Sequence, residues 1–104
     1  MSEADDIALV DALIARARIA QKAFDTGADQ TRYDRAAEAA AWAIMEPARN
    51  EELATLAVQS TGLGNVRDKI TKNHRKTLGL MRDLKGAKTH GVVNDDPATG
   101  ITEI

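Results

Sequence analysis

The chain has no cysteine, two histidines (His74 and His90), two prolines and only three aromatic residues, Phe24, Tyr33 and Trp42. Without cysteine there are no disulfides, no thiolate metal ligands and no thiol nucleophile, so hydrophobic packing must hold the fold. With aromatics scarce and alanine abundant, burial has to come from small side chains and close helix approach. No apolar run approaches the roughly 18 residues of a membrane-spanning helix. The opening stretch, Met-Ser-Glu-Ala-Asp-Asp, is acidic where an export signal is basic. These absences point to a cytoplasmic protein with no membrane partner. The formal net charge of -2 also excludes a globally basic nucleic-acid binder. What remains is ordinary for a soluble globular chain, with 43% hydrophobic and 29% charged residues in a length of 104. A chain of that size forms one domain or part of one, and buries roughly 60 to 70% of its unfolded surface.

Apolar residues at Ile7, Val10, Ile14, Ala17 and Phe24, flanked by Leu9, Leu13 and Ala20, repeat at helical spacing and predict a helix over residues 4–24. Glu3, Asp5 and Asp6 lie in its first turn and Arg16, Arg18 and Lys22 nearer its end, each sign suiting the helix dipole. Gly27 then provides a left-handed stop. A second helix is expected over residues 30–45, with Tyr33, Ala36, Ala37, Ala40, Ala41 and Ile44 on one face. Pro47 suits the first turn of a third helix over residues 48–59, whose apolar residues are Leu53, Leu56 and Ala57. Thr61-Gly62-Leu63-Gly64-Asn65 breaks that helix. Residues 66–84 read as a fourth, with Val66, Ile70, Thr77, Met81 and Leu84 on one face and Gly79 as a mild weakness.

Beyond Lys88 the pattern changes. Residues 91–94 and 101–104 are short β-prone runs around Asp95-Asp96-Pro97-Ala98-Thr99-Gly100, which predicts a hairpin. Such a ribbon is marginal alone, and the second strand reads as cut at Ile104 with no turn after it. The expected class is mainly α, about four helices followed by a short β-hairpin.

Few residues could carry chemistry. Gly62-Leu63-Gly64-Asn65-Val66-Arg67 superficially resembles a dinucleotide loop, but the third glycine is missing and no strand precedes it, so a tight helix-to-helix turn is the simpler reading. His74 on a basic helix and His90 in a polar linker are read as solvated. Asp5/Asp6, Glu51/Glu52 and Asp95/Asp96 are sequence neighbours, whose side chains splay instead of converging on one ion. Residues 66–90 carry eight Lys and Arg against Asp68 and Asp83, a local excess of +6. Such a stretch is first a solvated face, and no aromatic residue interleaves it to stack on bases.

Read as one string, Leu53 through His74 resembles the start of the CoA-acylating aldehyde dehydrogenases, of the acetaldehyde, sulfoacetaldehyde and succinate-semialdehyde type. In that branch a helix ends in a Thr-Gly-x-Gly turn followed by an Asp-Lys-x-x-Lys-Asn helix, here Thr61-Gly62-Leu63-Gly64 and Asp68-Lys69-Ile70-Thr71-Lys72-Asn73. Upstream, Ala17-Arg18-Ile19-Ala20-Gln21-Lys22-Ala23-Phe24 is similar to the family's opening helix, and Gly91-Val92-Val93 through Asp96-Pro97 to Gly100-Ile101 is similar to its first hairpin. Gln59-Ser60 departs from the Glu-Glu or Glu-x pair of the family.

The resemblance implies a longer parent of α/β aldehyde dehydrogenase fold, with an NAD(P)-binding domain, a catalytic domain bearing a cysteine nucleophile, and an oligomerising ribbon. In such enzymes the thiolate attacks the aldehyde, hydride passes to the nicotinamide and CoA releases the acyl group as a thioester. With no cysteine and no coenzyme-binding strand-turn-helix in this chain, no catalytic, cofactor-binding or metal residue is assigned. The expectation is a non-catalytic N-terminal scaffold fragment: residues 1–90 helical, and residues 91–104 a hairpin leading into an absent nucleotide-binding domain. The remainder of the parent is its partner, self-association is expected, and NAD(P) and CoA belong to the parent. The alternatives are a free-standing helical interaction module and, behind it, a small nucleic-acid-binding protein using the basic helix over residues 66–88.

Overall fold

The computed structural model describes residues 2–104. Four helices come first, α1 (Glu3–Asp25), α2 (Gln30–Met45), α3 (Pro47–Thr61) and α4 (Val66–Leu84), followed by strands β1 (Asn94–Asp96) and β2 (Ile101–Glu103). Local chemistry sets each boundary. Ser2 and Asp5 form a reciprocal capping box at the start of α1, the Ser2 Oγ accepting from the Asp5 amide while the Asp5 carboxylate accepts from the Ser2 amide. Asp29 caps α2 by accepting from the Arg32 amide at 2.9 Å. Glu46 serves two helices at once. Its amide donates to the Trp42 carbonyl and closes α2, while its carboxylate accepts from the amides of Ala48 and Arg49 and opens α3. Pro47 occupies the first position of α3, where its missing N–H costs nothing.

The three helices α2, α3 and α4 pack on one another, whereas none packs along α1 and the hairpin pairs only with itself. The centre of the three-helix body is made of small residues: Ala54 is fully buried and Ala41 nearly so. Between them Asn50 is also buried, its Nδ2 donating to the Ile70 carbonyl at 2.9 Å and its Oδ1 accepting from Asn73 Nδ2 at 2.9 Å. This amide bridge ties α3 to α4 and satisfies a polar group that would otherwise be costly to bury.

Several inward faces differ from those read off the sequence. In α2, Ala36, Ala40 and Ile44 lie in solvent, and the packed series is Tyr33, Ala37, Ala41 and Met45, four residues apart. In α3, Leu53 and Leu56 are exposed while Asn50 and Ala54 face inward. The small residues win because they let the backbones approach, and the leucines are displaced to the rim. The α4 face is as expected, with Val66, Ile70, Thr77, Met81 and Leu84 all partly covered.

The hairpin is antiparallel, but β1 starts three residues later than expected, and Asn94, Asp95 and Asp96 pair with Glu103, Thr102 and Ile101. Asp96 moves from turn to strand because its carboxylate caps the turn from inside, accepting from the Ala98 amide and the Thr99 hydroxyl, both at 3.0 Å. Gly100, at φ 70°, returns its amide to the Asp96 carbonyl.

The result is an open shape. Its radius of gyration is 18.7 Å, against about 13 Å for a compact domain of this length. Its accessible surface is 8410 Å², against about 5,700 Å² for a folded globule of its mass.

Candidate functional site

The elbow between α1 and α2 gathers two of the three aromatic residues with a carboxylate, a guanidinium and an imidazole. Phe24, at the end of α1, meets Tyr33 of α2 edge-on with ring centroids 5.6 Å apart, and the Arg32 guanidinium covers the Phe24 ring at 4.6 Å. The Tyr33 hydroxyl donates to Asp25 at 2.7 Å, and this bond to a carboxylate raises the tyrosine above the usual phenol range.

His90, expected in solvent, is instead half-buried here. Its ring lies 5.2 Å from that of Tyr33 and its Nδ1 is 3.2 Å from Gln30 Oε1. Gln30 also accepts from the Thr89 amide and donates to the Thr89 hydroxyl, so one amide side chain clamps the segment after α4 onto the start of α2. The contact joins residues about sixty positions apart, so no local spacing could have revealed it; the only signal was the pairing of a scarce aromatic with a scarce histidine.

His74 does lie exposed on α4, beside Arg75. No group of three or more His, Asp or Glu among the described residues could hold a metal ion.

The turn between α3 and α4 was the other candidate. Gly62 (φ 68°) and Gly64 (φ 72°) both occupy left-handed backbone, which makes a sharp reversal between two helices. At the start of α4 the Asn65 side chain accepts from the Asp68 amide at 2.9 Å, the Asn65 backbone carbonyl accepts from the Lys69 amide, and the Lys69 side chain lies over Gly64. The turn is a capped reversal from one helix into the next.

What the surface does offer is uncovered apolar area. Between α2 and the end of α4 runs a groove of about 600 Å³ lined by Tyr33, Ala37, Ala41, Trp42, Met81 and Leu84, with Asp34, Glu38 and Lys85 also on its wall. Trp42 is 60% exposed. Along α1, Ile7, Val10, Leu13 and Ile14 are 44 to 55% exposed, although they form a continuous stripe. The basic side chains Arg67, Lys72, Arg75, Lys76 and Arg82 of α4 lie in solvent. All three features are apolar or basic surface open to solvent. No helix of the described residues is long and apolar enough to cross a membrane.

Comparison with curated proteins finds 65% identity over 95 residues with "Sulfoacetaldehyde dehydrogenase (acylating)" of Cupriavidus necator, covering 91% of this chain and 19% of that protein. The protein of the same name from Bilophila wadsworthia is 39% identical over 74 residues, covering 71% of this chain and 16% of its own length. The bifunctional aldehyde-alcohol dehydrogenase of Escherichia coli K12 is 32% identical over 99 residues, covering 95% of this chain and 11% of that protein. The chain thus spans about a fifth or less of the curated relatives it matches. No family model and no solved structure matches it.

Proposed function

The chain is homologous to the CoA-acylating aldehyde dehydrogenases, and we propose that it is a non-catalytic, N-terminal scaffold segment of such an enzyme. The parent reaction is oxidation of an aldehyde with CoA and NAD(P)+ to acyl-CoA and NAD(P)H, in the cytoplasm. One observation carries the reading: some 2,700 Å² more surface lies open, out of 8410 Å², than a folded globule of this mass exposes. That excess falls in the range of obligate interfaces. The α1 stripe, the α2/α4 groove and the hairpin all contribute exposed apolar side chains to it, among them Ile7, Val10, Trp42 and Ile101. Residues 1–90 are the helical part of the scaffold, and residues 91–104 lead toward the nucleotide-binding domain. The remainder of the parent is the partner, and until it docks the same surfaces drive self-association. Coenzyme, CoA and the nucleophile all belong to the remainder.

A complementation experiment tests this. The matched segment is deleted from the Cupriavidus necator relative, and this 104-residue chain is supplied in trans. The deletion abolishes aldehyde-dependent acyl-CoA formation, and adding the chain restores a measurable fraction of it, while the chain alone has none. A deleted enzyme that keeps full activity, or turnover by the chain alone, overturns the reading.

A further inference from the structure

The apolar stripe of α1 has a stricter period than covering by an irregular surface would require. Ile7, Ile14 and Gln21 recur every seven residues, as do Val10, Ala17 and Phe24, which is an alternating three-four spacing along one side of a helix that α2 touches only at its end, at Phe24 and Asp25. Leu13 and Ala20 widen that seam on one flank, and Asp11 and Arg18 line the other, both exposed. Charge is divided along the axis as well. The first half of α1 carries Glu3, Asp5, Asp6 and Asp11 without a base, and the second half carries Arg16, Arg18 and Lys22 against the single acid Asp25, which accepts from Gln21 and Tyr33.

We propose that α1 is an antiparallel dimerisation helix whose partner is α1 of a second copy of this chain, with Asp11 of each copy set against Arg18 of the other. This rests on the self-association in the preceding reading and names its surface. Orientation follows from the charges. Antiparallel pairing about a two-fold axis near residues 15 and 16 lays each acidic half on a basic half and makes the Asp11 to Arg18 contact twice, as a self-complementary interface must. Parallel pairing instead sets Asp6 against Asp11 of the neighbour twice and aligns the acidic halves, so like charge opposes it. Phe24, already held by Tyr33 and Arg32, closes the seam at the elbow, and Gln21, the one polar seam residue, donates to Asp25 of its own helix at 2.9 Å. Three heptads make a short seam, so the dimer is weak and concentration-dependent.

Sedimentation velocity on the full chain between about 10 and 300 µM, a range that brackets a weak dimer, reads this directly. The wild type shifts from monomer to dimer. Arg18→Asp leaves only acidic flanks and Asp11→Arg only basic ones, and each weakens the dimer about tenfold. An equimolar mixture of those two variants dimerises again, as does the double swap Asp11→Arg/Arg18→Asp in one chain, which keeps the composition and so controls for loss of helix. A monomer across the whole range overturns the proposal, as does a dimer indifferent to both single changes or a mixture that stays monomeric. Dimerisation that survives both changes and shifts Trp42 fluorescence places the contact in the α2/α4 groove and overturns the α1 seam. Failed complementation of the relative leaves these readouts unmoved, so the two readings fail separately.

Discussion

The longest helix and the three shorter ones solve the same problem by opposite means. α1 has 23 residues, a full capping box and a dipole-matched charge pattern, yet not one of its residues is buried. The α2–α4 body has shorter helices, but the small side chains Ala41 and Ala54 and the amide of Asn50 lock them together. Local signals therefore make a helix without telling where it packs. A large aliphatic stripe marks a face that needs cover, whereas a small residue at the right place marks a face that already has it.

If the body is held by close approach at small residues, enlarging one of them does the most damage. Ala54→Leu inserts three carbons where exposure is 0%, and we expect a loss of about 3 kcal/mol from overpacking, read as a lower urea midpoint with Trp42 fluorescence as reporter. An unchanged midpoint would mean that α3 and α4 can part freely, and the contrast with α1 would collapse. Asn50→Ala comes next. It removes two hydrogen bonds and strands the partly covered Asn73 amide, costing about 2 kcal/mol. Asn50→Ala combined with Asn73→Ala should cost less than the sum of the two single changes, because the orphaned partner disappears too.

How much of this was legible in the sequence depends on whether the cause was local. All four helices and their stops were, since Pro47, Gly27 and the Thr61 to Asn65 turn act within a few residues. The inward face of α4 was legible because its apolar residues and its buried face coincide. The faces of α2 and α3 were legible only in part: Tyr33, Ala37, Ala41 and Ala57 are read inward and are covered, whereas Ala36, Ala40, Ile44, Leu53 and Leu56 are read inward and are exposed. Asn50 and Ala54 are missed because Leu53 and Leu56 outweigh them in any hydrophobic count, while burial is decided by how closely backbones can meet. The shift of β1 follows from one side chain, Asp96, whose turn-capping bonds compete with the β-propensity of Val92 and Val93. The seat of His90 on Tyr33 and Gln30 depends on the chain returning over about sixty residues, which no window captures.

Acid probes both regions, because each has one carboxylate held low at a helix start. The Glu46 carboxylate is held below the ordinary carboxylate range, chiefly by the Arg49 amide and then by that of Ala48. Asp5 is held low by the Ser2 amide and then the Ser2 hydroxyl. A carboxylate whose value is lower folded than unfolded contributes stability that is fully present above its unfolded value, about 4.3 for Glu, and lost as pH falls through the folded value. Helicity should therefore hold above about pH 5 and decline below it. Glu46→Gln should lower the urea midpoint at neutral pH, by less than Asn50→Ala does, and its difference from wild type should shrink on acidification. Ser2→Ala should reduce helical ellipticity near the start of α1 while leaving the urea midpoint of the body in place.

The smallest effect is expected where intuition puts a large one. Ile14 sits at the middle of the longest apolar stripe and would rank high on any list of core residues, yet it is 44% exposed and no helix lies against it. At a concentration where the chain is monomeric, Ile14→Gln should move the unfolding of the body by less than about 0.5 kcal/mol, the range of ordinary surface changes. Glutamine is as good a helix former as isoleucine or better, so α1 itself should persist. At concentrations where copies pair, the same substitution should abolish the dimer, since it places a second amide in a three-heptad seam. The two measurements on one variant separate a helix that is structured locally from one that is structured by what it covers. A cost near 2 kcal/mol or more in the dilute monomer would mean that α1 folds back onto the body, and that the apolar stripe already has its partner within the chain.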